Sequence, residues 1–399
     1  MLGRSRGKDL PELLPGHATH EGTQSYADAS GLTEAHFSDF GKEALKLSSI
    51  GMGTDFGDAT DNVDAGYRKA IAHGLKNGLN VVEAGISYRF GRSAEAAGSA
   101  IRDAVADGMS REGLFVVAKG GFMAFPGGPP EDLAEWFKEN IVKKGMGTPD
   151  ELAEGPHLLS AAYIAWQLEQ SRQALGVETL DAFLIDQSEV HIPHMVTKED
   201  LNTRLQKVYA VLEMAVQAGK LRCYGLATWK SCRVPTNDAM FQSMTSQVAT
   251  AENAAGDPQS HHMRLVTMPY NVNMLEGFTR FNQATGQGNV ASTVQAAYQL
   301  GLYFIGTHTL MGGQLLEEQP PILRQTMGDL RTNAQRAMQF SRSTPGVGTA
   351  MVAMADKAHV DEALELGKTD PLPRKTFLKM FEQAEDDETG EADEEQVQG

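Results

Sequence analysis

A (β/α)8 barrel, the TIM type of α/β fold, is the class that this 399-residue sequence predicts, and three observations predict it. Eight short apolar runs alternate with stretches of helical spacing. Runs such as Val81-Val82 and Phe115-Val-Val-Ala118 lack a strict period of two, as parallel strands covered on both faces do. No Gly-x-Gly-x-x-Gly follows the first run. Gly51-Met-Gly53 alone is a weak signal for the alternative, a doubly wound open sheet.

The elements follow in order. Residues 1 to about 43 are rich in Gly, Ser, Asp and His without clear periodicity and read as an N-terminal arm. Leu45 to Gly53 is the first strand. Asp64 to Asn77 is a helix, with Ala65, Ala70, Ile71 and Leu75 at helical spacing and Gly78 as its stop. Asn80 to Ala84 is the second strand, Ser93 to Asp107 a helix with Ser93 as N-cap, and Leu114 to Lys119 the third strand. Gly120 to Pro156 breaks the rhythm with Pro126-Gly-Gly-Pro-Pro130. A loop this long in a compact domain is usually functional or a lid.

The alternation then resumes. Leu158 to Leu175 is a helix stopped by Gly176, and Leu180 to Asp186 the fourth strand. Leu201 to Ala218 is a helix, Leu221 to Trp229 the fifth strand, and a polar insertion runs on through His262. Leu265 to Asn271 is the sixth strand, Ala291 to Leu300 a helix, and Leu302 to Thr309 the seventh strand. Thr332 to Phe340 is a helix, Thr349 to Met354 the eighth strand, and Val360 to Leu366 its helix. The barrel thus occupies 44–370, and 371–399 is a C-terminal extension.

Composition excludes several function classes. Hydrophobic content of 41% and charged content of 22% are those of a globular protein. No run of 18 apolar residues predicts a transmembrane helix. The formal net charge is -17, and nine acids with no Lys or Arg lie between Glu382 and Gly399. That segment reads as a disordered, solvating tail, and the acidic balance disfavours nucleic acid. Cys223 and Cys232 are too few for a disulfide framework and suit a reducing compartment. The expected location is cytoplasmic. Arg4, Arg6 and Lys8, which precede any acid, leave an organelle matrix such as the mitochondrial one as the alternative.

The candidate chemistry lies at the strand ends. Glu83 and Lys119 fall near the carboxyl ends of neighbouring strands, with Tyr88 in the loop after the first. A Tyr beside a Lys and a carboxylate is a tunable proton donor; the bland reading is a loop tyrosine beside a structural ion pair. Glu189, His191 and His194 read as solvated loop residues and not as a metal site. His261-His262 reads as surface. His308, at the end of the seventh strand, lines the pocket or the core, and Met351 and Met354 read as barrel packing.

From about Leu47 to Leu366 the sequence resembles the aldo-keto reductase family, specifically a longer branch with an extended loop after the third strand. The resemblance rests on Leu47-Ser-Ser-Ile-Gly-Met-Gly-Thr54, Ser87-Tyr-Arg89, Val117-Ala-Lys-Gly-Gly121, Gly219-Lys-Leu-Arg-Cys-Tyr-Gly-Leu-Ala-Thr-Trp229, Pro269-Tyr-Asn271 and Arg342-Ser-Thr-Pro-Gly-Val347. It implies a barrel oxidoreductase that uses NADPH or, less often, NADH to reduce a small carbonyl substrate. Of the family's Asp, Tyr, Lys and His tetrad, Tyr88 and Lys119 match, Glu83 stands for Asp, and Asp186 stands for His. In that scheme Tyr88 gives the proton, Lys119 lowers its pKa, and Glu83 pairs with Lys119. Asp186 next to Tyr88 opposes Lys119 when ionised, and hydrogen-bonds a substrate oxygen when protonated. A related Glu-for-His change marks family members that reduce enones.

The resemblance assigns cofactor contacts to Thr228, to Thr267 in place of Gln, and to Tyr270 stacked on the nicotinamide. It assigns the phosphate end to Met311 and Gly312 and to Glu362, with Ala363 in place of Asn. Asp356 there repels a 2′-phosphate, whereas Lys357 or His359 attracts one, which keeps both NADP and NAD open. Changes clustered at Glu83, Asp186, Thr267 and Ala363 favour a second reading. In it the barrel is catalytically inactive, a cofactor-binding sensor or an assembly subunit that uses its arm or acidic tail as contacts.

Overall fold

In the computed structural model, which describes residues 12–195, 197–285 and 288–390, eight parallel strands close into a barrel. They are β1 (Ile50–Gly53), β2 (Val81–Gly85), β3 (Phe115–Gly120), β4 (Leu180–Asp186), β5 (Leu221–Ala227), β6 (Met263–Pro269), β7 (Tyr303–Thr307) and β8 (Val347–Ala353). Each pairs with the next, and β8 closes on β1 from Ala350↔Ile50 to Ala353↔Gly53. The surrounding helices are α1 (Asp61–Asn77), α2 (Arg92–Ala106), α3 (Ala161–Leu175), α4 (Lys198–Gln217), α5 (Met244–Ala255), α6 (Thr293–Gln299), α7 (Asn333–Ser343) and α8 (Lys357–Gly367). The closed sheet excludes the doubly wound alternative.

The strands are almost wholly buried because helices cover the outside and side chains fill the inside. Val82, Val116, Phe183 and Val266 pack outward against the helices, whereas Val81, Val117, Leu184 and Leu265 point into the barrel. Capping residues start the helices: Thr60 on α1, Ser160 on α3, Thr197 on α4 and Ser243 on α5 each accept a backbone N–H from the first turn. Gly78 and Gly176, both at positive φ, close α1 and α3.

Four expectations are corrected. The stretch expected as one strand over Leu45 to Gly53 is broken. Leu45–Ser48 pairs antiparallel with Phe37–Phe40, and only Ile50–Gly53 enters the barrel. Ser48 and Asn80 cause the break, since Asn80 Oδ1 accepts the Ser48 N–H and Ser48 Oγ accepts the Asn80 N–H. Residues 12–43 are not a detached arm. They hold a helix, His20–Ala29, and that hairpin, which together plug the amino-terminal mouth of the barrel. Ala18, Phe40, Leu45 and Leu47 join the interior cluster, with Phe40 edge-on to Phe115 at 5.6 Å. Ser93 does not cap α2: Gly91 holds that position, and Ser93 Oγ donates to the Thr54 carbonyl at 2.6 Å. The polar insertion between β5 and β6 contains α5, and His261 at its end, expected at the surface, is buried.

The long segment after β3 contains the helix Leu133–Asn140 and a small apolar cluster of Met123, Phe137, Ile141, Leu158 and Tyr163. A last helix, Arg374–Gly390, seats Phe377 against Phe278 and Phe340. It extends into the stretch expected as a disordered tail. Residues 391–399 and the basic positions Arg4, Arg6 and Lys8 lie outside the described residues. Among the described residues no helix is long and apolar enough to cross a membrane.

Candidate active site

The carboxyl ends of the strands open into a cavity of about 800 Å³, within the range of small-molecule sites. Register places its floor. Gly85 of β2 lies beside Lys119 of β3, which lies beside Leu184 of β4, so Glu83, Lys119 and Asp186 converge from three adjacent strands.

Tyr88 arrives from a turn with unusual backbone. Arg89, Phe90 and Gly91 adopt φ of 50°, 60° and 93° in succession. A left-handed conformation at non-glycine residues costs about 1–3 kcal/mol and persists only where surroundings enforce it. Here the buried Arg89 guanidinium enforces it. It ion-pairs with Asp64, donates to the Asp58 carbonyl at 3.0 Å, and lies over the Tyr67 ring at 5.1 Å.

Within the floor, Lys119 Nζ lies 3.0 Å from Glu83 Oε1 and 5.8 Å from the centre of the Tyr88 ring. The Lys119 and Glu83 side chains are 8% and 5% exposed, so the pair is dry. Burial pushes the Glu83 carboxyl up, against the pull of Lys119. Burial acts to lower the Lys119 pKa, but Glu83, Tyr88 and Asp186 outweigh it, and the ammonium is held charged. Burial, reinforced by Glu83 and Asp186, raises the Tyr88 phenol well above 10, and Lys119 offsets part of that rise. Burial also raises Asp186, opposed by Lys119 and aided by Glu189.

A hydrogen-bond chain supports Asp186 from behind. The His157 Nε2 atom is 2.6 Å from the Asp186 carbonyl, which only accepts, so Nε2 carries the hydrogen. His157 Nδ1 then accepts from His191 Nε2 at 2.8 Å, and Arg204 donates to His191 Nδ1 at 3.4 Å. Burial holds both imidazoles neutral, with His157 lowered to about 4 and His191 to about 3. Glu189 is buried as well. Its Oε1 accepts the Trp229 and Lys230 N–H groups at 2.6 and 2.9 Å and so fixes the loop after β5. Glu189 and His191 are therefore not the solvated residues expected; their polar atoms brace two loops of the site. His194 is exposed, and His262 is half-buried and bonded to Glu213 at 2.7 Å.

The expected cofactor contacts divide. Thr228, Thr267, Gly312 and Glu362 line the cavity, whereas Tyr270, Met311 and Lys357 do not. Tyr270 departs from its expected stacking role because of strand parity. Thr267 faces inward, so Tyr270, three residues on, faces outward onto α7. There its ring stacks on Phe340 at 6.1 Å, and its hydroxyl accepts from Thr344 Oγ1 at 3.0 Å. Lys357 is exposed and paired with Asp361 at 2.7 Å. His308 lines the cavity, edge-on to Trp229 at 5.2 Å. Among the described residues no group of three His, Cys, Asp or Glu is arranged to hold a metal ion.

Sequence reasoning missed several lining residues. Asp55 and Phe56, just past β1, line the cavity, as do Trp229 after β5 and Phe122, Met123 and Phe125 after β3. The legible signal for Asp55 was its place directly after Gly51-Met-Gly53-Thr54, at the carboxyl end of a strand.

The cavity fits a dinucleotide in part. Thr228 Oγ1 is buried without a partner and lines the wall, as a carboxamide acceptor would require. Gly312 and Gly313 take φ of 64° and 97°; a Cβ at Gly313 would meet nothing within 4 Å, which leaves an open cradle. Lys119, however, is the one Lys or Arg lining the cavity among the described residues, and it is committed to Glu83.

A model of the aldo/keto reductase family matches residues 49–319. Two Klebsiella pneumoniae crystal structures are similar to this chain: an aldo/keto reductase in complex with NADP and acetate, and an aldo-keto reductase in complex with NADPH. Each is 17% identical, covers 87% of this chain and 94% of its own, and has a TM-score of 0.57. A search of curated proteins finds no match.

Proposed function

We propose a function from one premise: the chain belongs to the aldo/keto reductase family. Its activity is NAD(P)H-dependent reduction of a small carbonyl compound or an enone. The observation that carries this reading is the convergence of Tyr88, Lys119 and Glu83 on one wall of the cavity, at the strand ends where barrel enzymes do their chemistry.

The residues divide the work as follows. Thr228 and Thr267 would hold a nicotinamide cofactor at its carboxamide and Gly312, Gly313 and Glu362 at its nucleotide end, and the cofactor would supply the hydride when bound. Tyr88, fully protonated at neutral pH, donates its hydroxyl proton to the substrate oxygen. Lys119 stabilises the phenolate left behind, and Glu83 holds Lys119 in place. Asp186, pushed up by burial, donates a hydrogen bond to the substrate oxygen in its protonated form. The 17% identical Klebsiella structures hold NADP and NADPH, which supports the cofactor class. The test is turnover of aldehydes, ketones and enones with either cofactor, with Tyr88→Phe as control. Wild-type inactivity across all three classes overturns this reading.

A second reading keeps the barrel but not the chemistry. The Tyr88 phenol sits well above its usual pKa, and Lys119 already satisfies Glu83, which favours a cofactor-binding sensor or an assembly subunit. Under that reading Tyr88→Phe changes neither binding nor stability, and the wild type turns nothing over.

A further inference from the structure

We propose that Asp55 makes the mouth of this cavity select carbonyl compounds bearing a positive charge and reject those bearing a negative one. This substrate class rests on the reductase reading above. The lining carries four acidic side chains, Asp55, Glu83, Asp186 and Glu362, against Lys119 alone; with Glu83 paired to Lys119 and Asp186 used in its protonated form, Asp55 and Glu362 remain as the unpaired negative charges. Lys119 lies 3.0 Å from Glu83 and is withdrawn from solvent, so it offers no counter-charge to an incoming anion. Arg and Lys are the side chains that most often hold a substrate carboxylate or phosphate. Apart from Lys119 there is none among the described lining residues.

Asp55 differs from the other acids in position. It is exposed and stands at the carboxyl end of β1, and its field reaches Tyr88, Glu83, Asp186 and His308. Aromatic rings share the mouth with it. Phe56 is 62% and Trp229 44% exposed, and Phe122 and Phe125 lie deeper. All four rings line the cavity that Asp55 also lines. Ring faces beside a carboxylate attract an ammonium group by cation–π and ionic attraction together.

Glu83 points the same way. It lines the cavity while more than nine-tenths buried, and its Oε2 has no hydrogen-bond partner. A bare carboxylate oxygen accepts only, so it offers an anion nothing and favours a cation.

The experiment compares three benzaldehydes of similar shape: 4-trimethylammonio, 4-methyl and 4-carboxy. Each is titrated by calorimetry at low salt into the full chain, wild type and Asp55→Asn. The expected wild-type order is cation tightest and carboxylate weakest, spanning about tenfold or more. In Asp55→Asn the ratio of the two charged ligands falls severalfold, and in the wild type 0.5 M salt shrinks it. Equal binding of all three, tighter binding of the carboxylate, no saturable binding of any, or a ratio unchanged in Asp55→Asn overturns the proposal. Binding is read without turnover, so the two readings fail separately. The charge order without reduction of any aldehyde keeps this proposal and removes the reductase. Reduction without the charge order does the reverse.

Discussion

Lys119 and Glu83 illustrate how one dry ion pair serves both chemistry and stability. Removing one partner of a buried pair costs about 3–5 kcal/mol, because the other charge stays buried alone. Lys119→Met is therefore expected to lower unfolding free energy by that order in a urea titration, and Glu83→Gln in the same chain to restore part of it. An additive double variant contradicts the coupling. At Tyr88 the expectation is opposite in kind. Tyr88→Phe removes a proton donor but no ion pair, so turnover falls by about 10²–10⁴ while the urea midpoint stays within error. Residues of this sort were legible in the sequence, since Glu83, Tyr88, Lys119 and Asp186 all follow apolar strand runs and all reach the cavity. Tyr270 was misread because a spacing along the chain does not state which face of a strand its residue takes, and one residue of register reverses it. Glu189, His157 and His191 escaped because loop acids and histidines look solvated until the fold buries them.

At the scale of elements, loops are where the sequence was least informative and where the site is built. The helices and barrel strands carry periodic patterns, so they were found, with ends that shifted by a few residues. The segment joining β3 to α3 has no period, yet it supplies Phe122, Met123 and Phe125 to the cavity and His157 to the relay behind Asp186. Gly121 lets that segment leave the strand. Its φ is 130°, and an added Cβ would stand 2.3 Å from His157 Nε2. Gly121→Ala should thus destabilise by about 1–3 kcal/mol and displace His157 from the Asp186 carbonyl. Histidine NMR reports that displacement as a loss of the hydrogen-bonded Nε2–H signal. An unchanged signal with unchanged stability contradicts the close packing.

The whole molecule is a barrel sealed at one end and open at the other. The seal, residues 12–48, was read as an arm and a longer strand because its helix and hairpin are too short to carry a strong pattern. Phe40→Ala is expected to cost about 3–5 kcal/mol while leaving ligand affinity unaltered, since Phe40 lies at the closed end. Acid should loosen the same fold. Burial lowers His36 and His191 to about 3 and His157 and His261 to about 4, against about 6.5 in an unfolded chain. The unfolded chain therefore binds more protons from about pH 6.5 down to about pH 4, and stability falls as pH falls through that window. Glu83, Asp186 and Glu189, pushed up by burial, oppose part of this because the folded chain takes their protons first. The urea midpoint is expected to be lower at pH 5 than at pH 7; a higher midpoint at pH 5 contradicts the histidine account. What the open end does is tested most directly by calorimetric titration of the purified chain with NADPH and NADH. Micromolar binding of either is the result this account predicts. No binding of both at millimolar concentration contradicts it, because hydride transfer then has no donor.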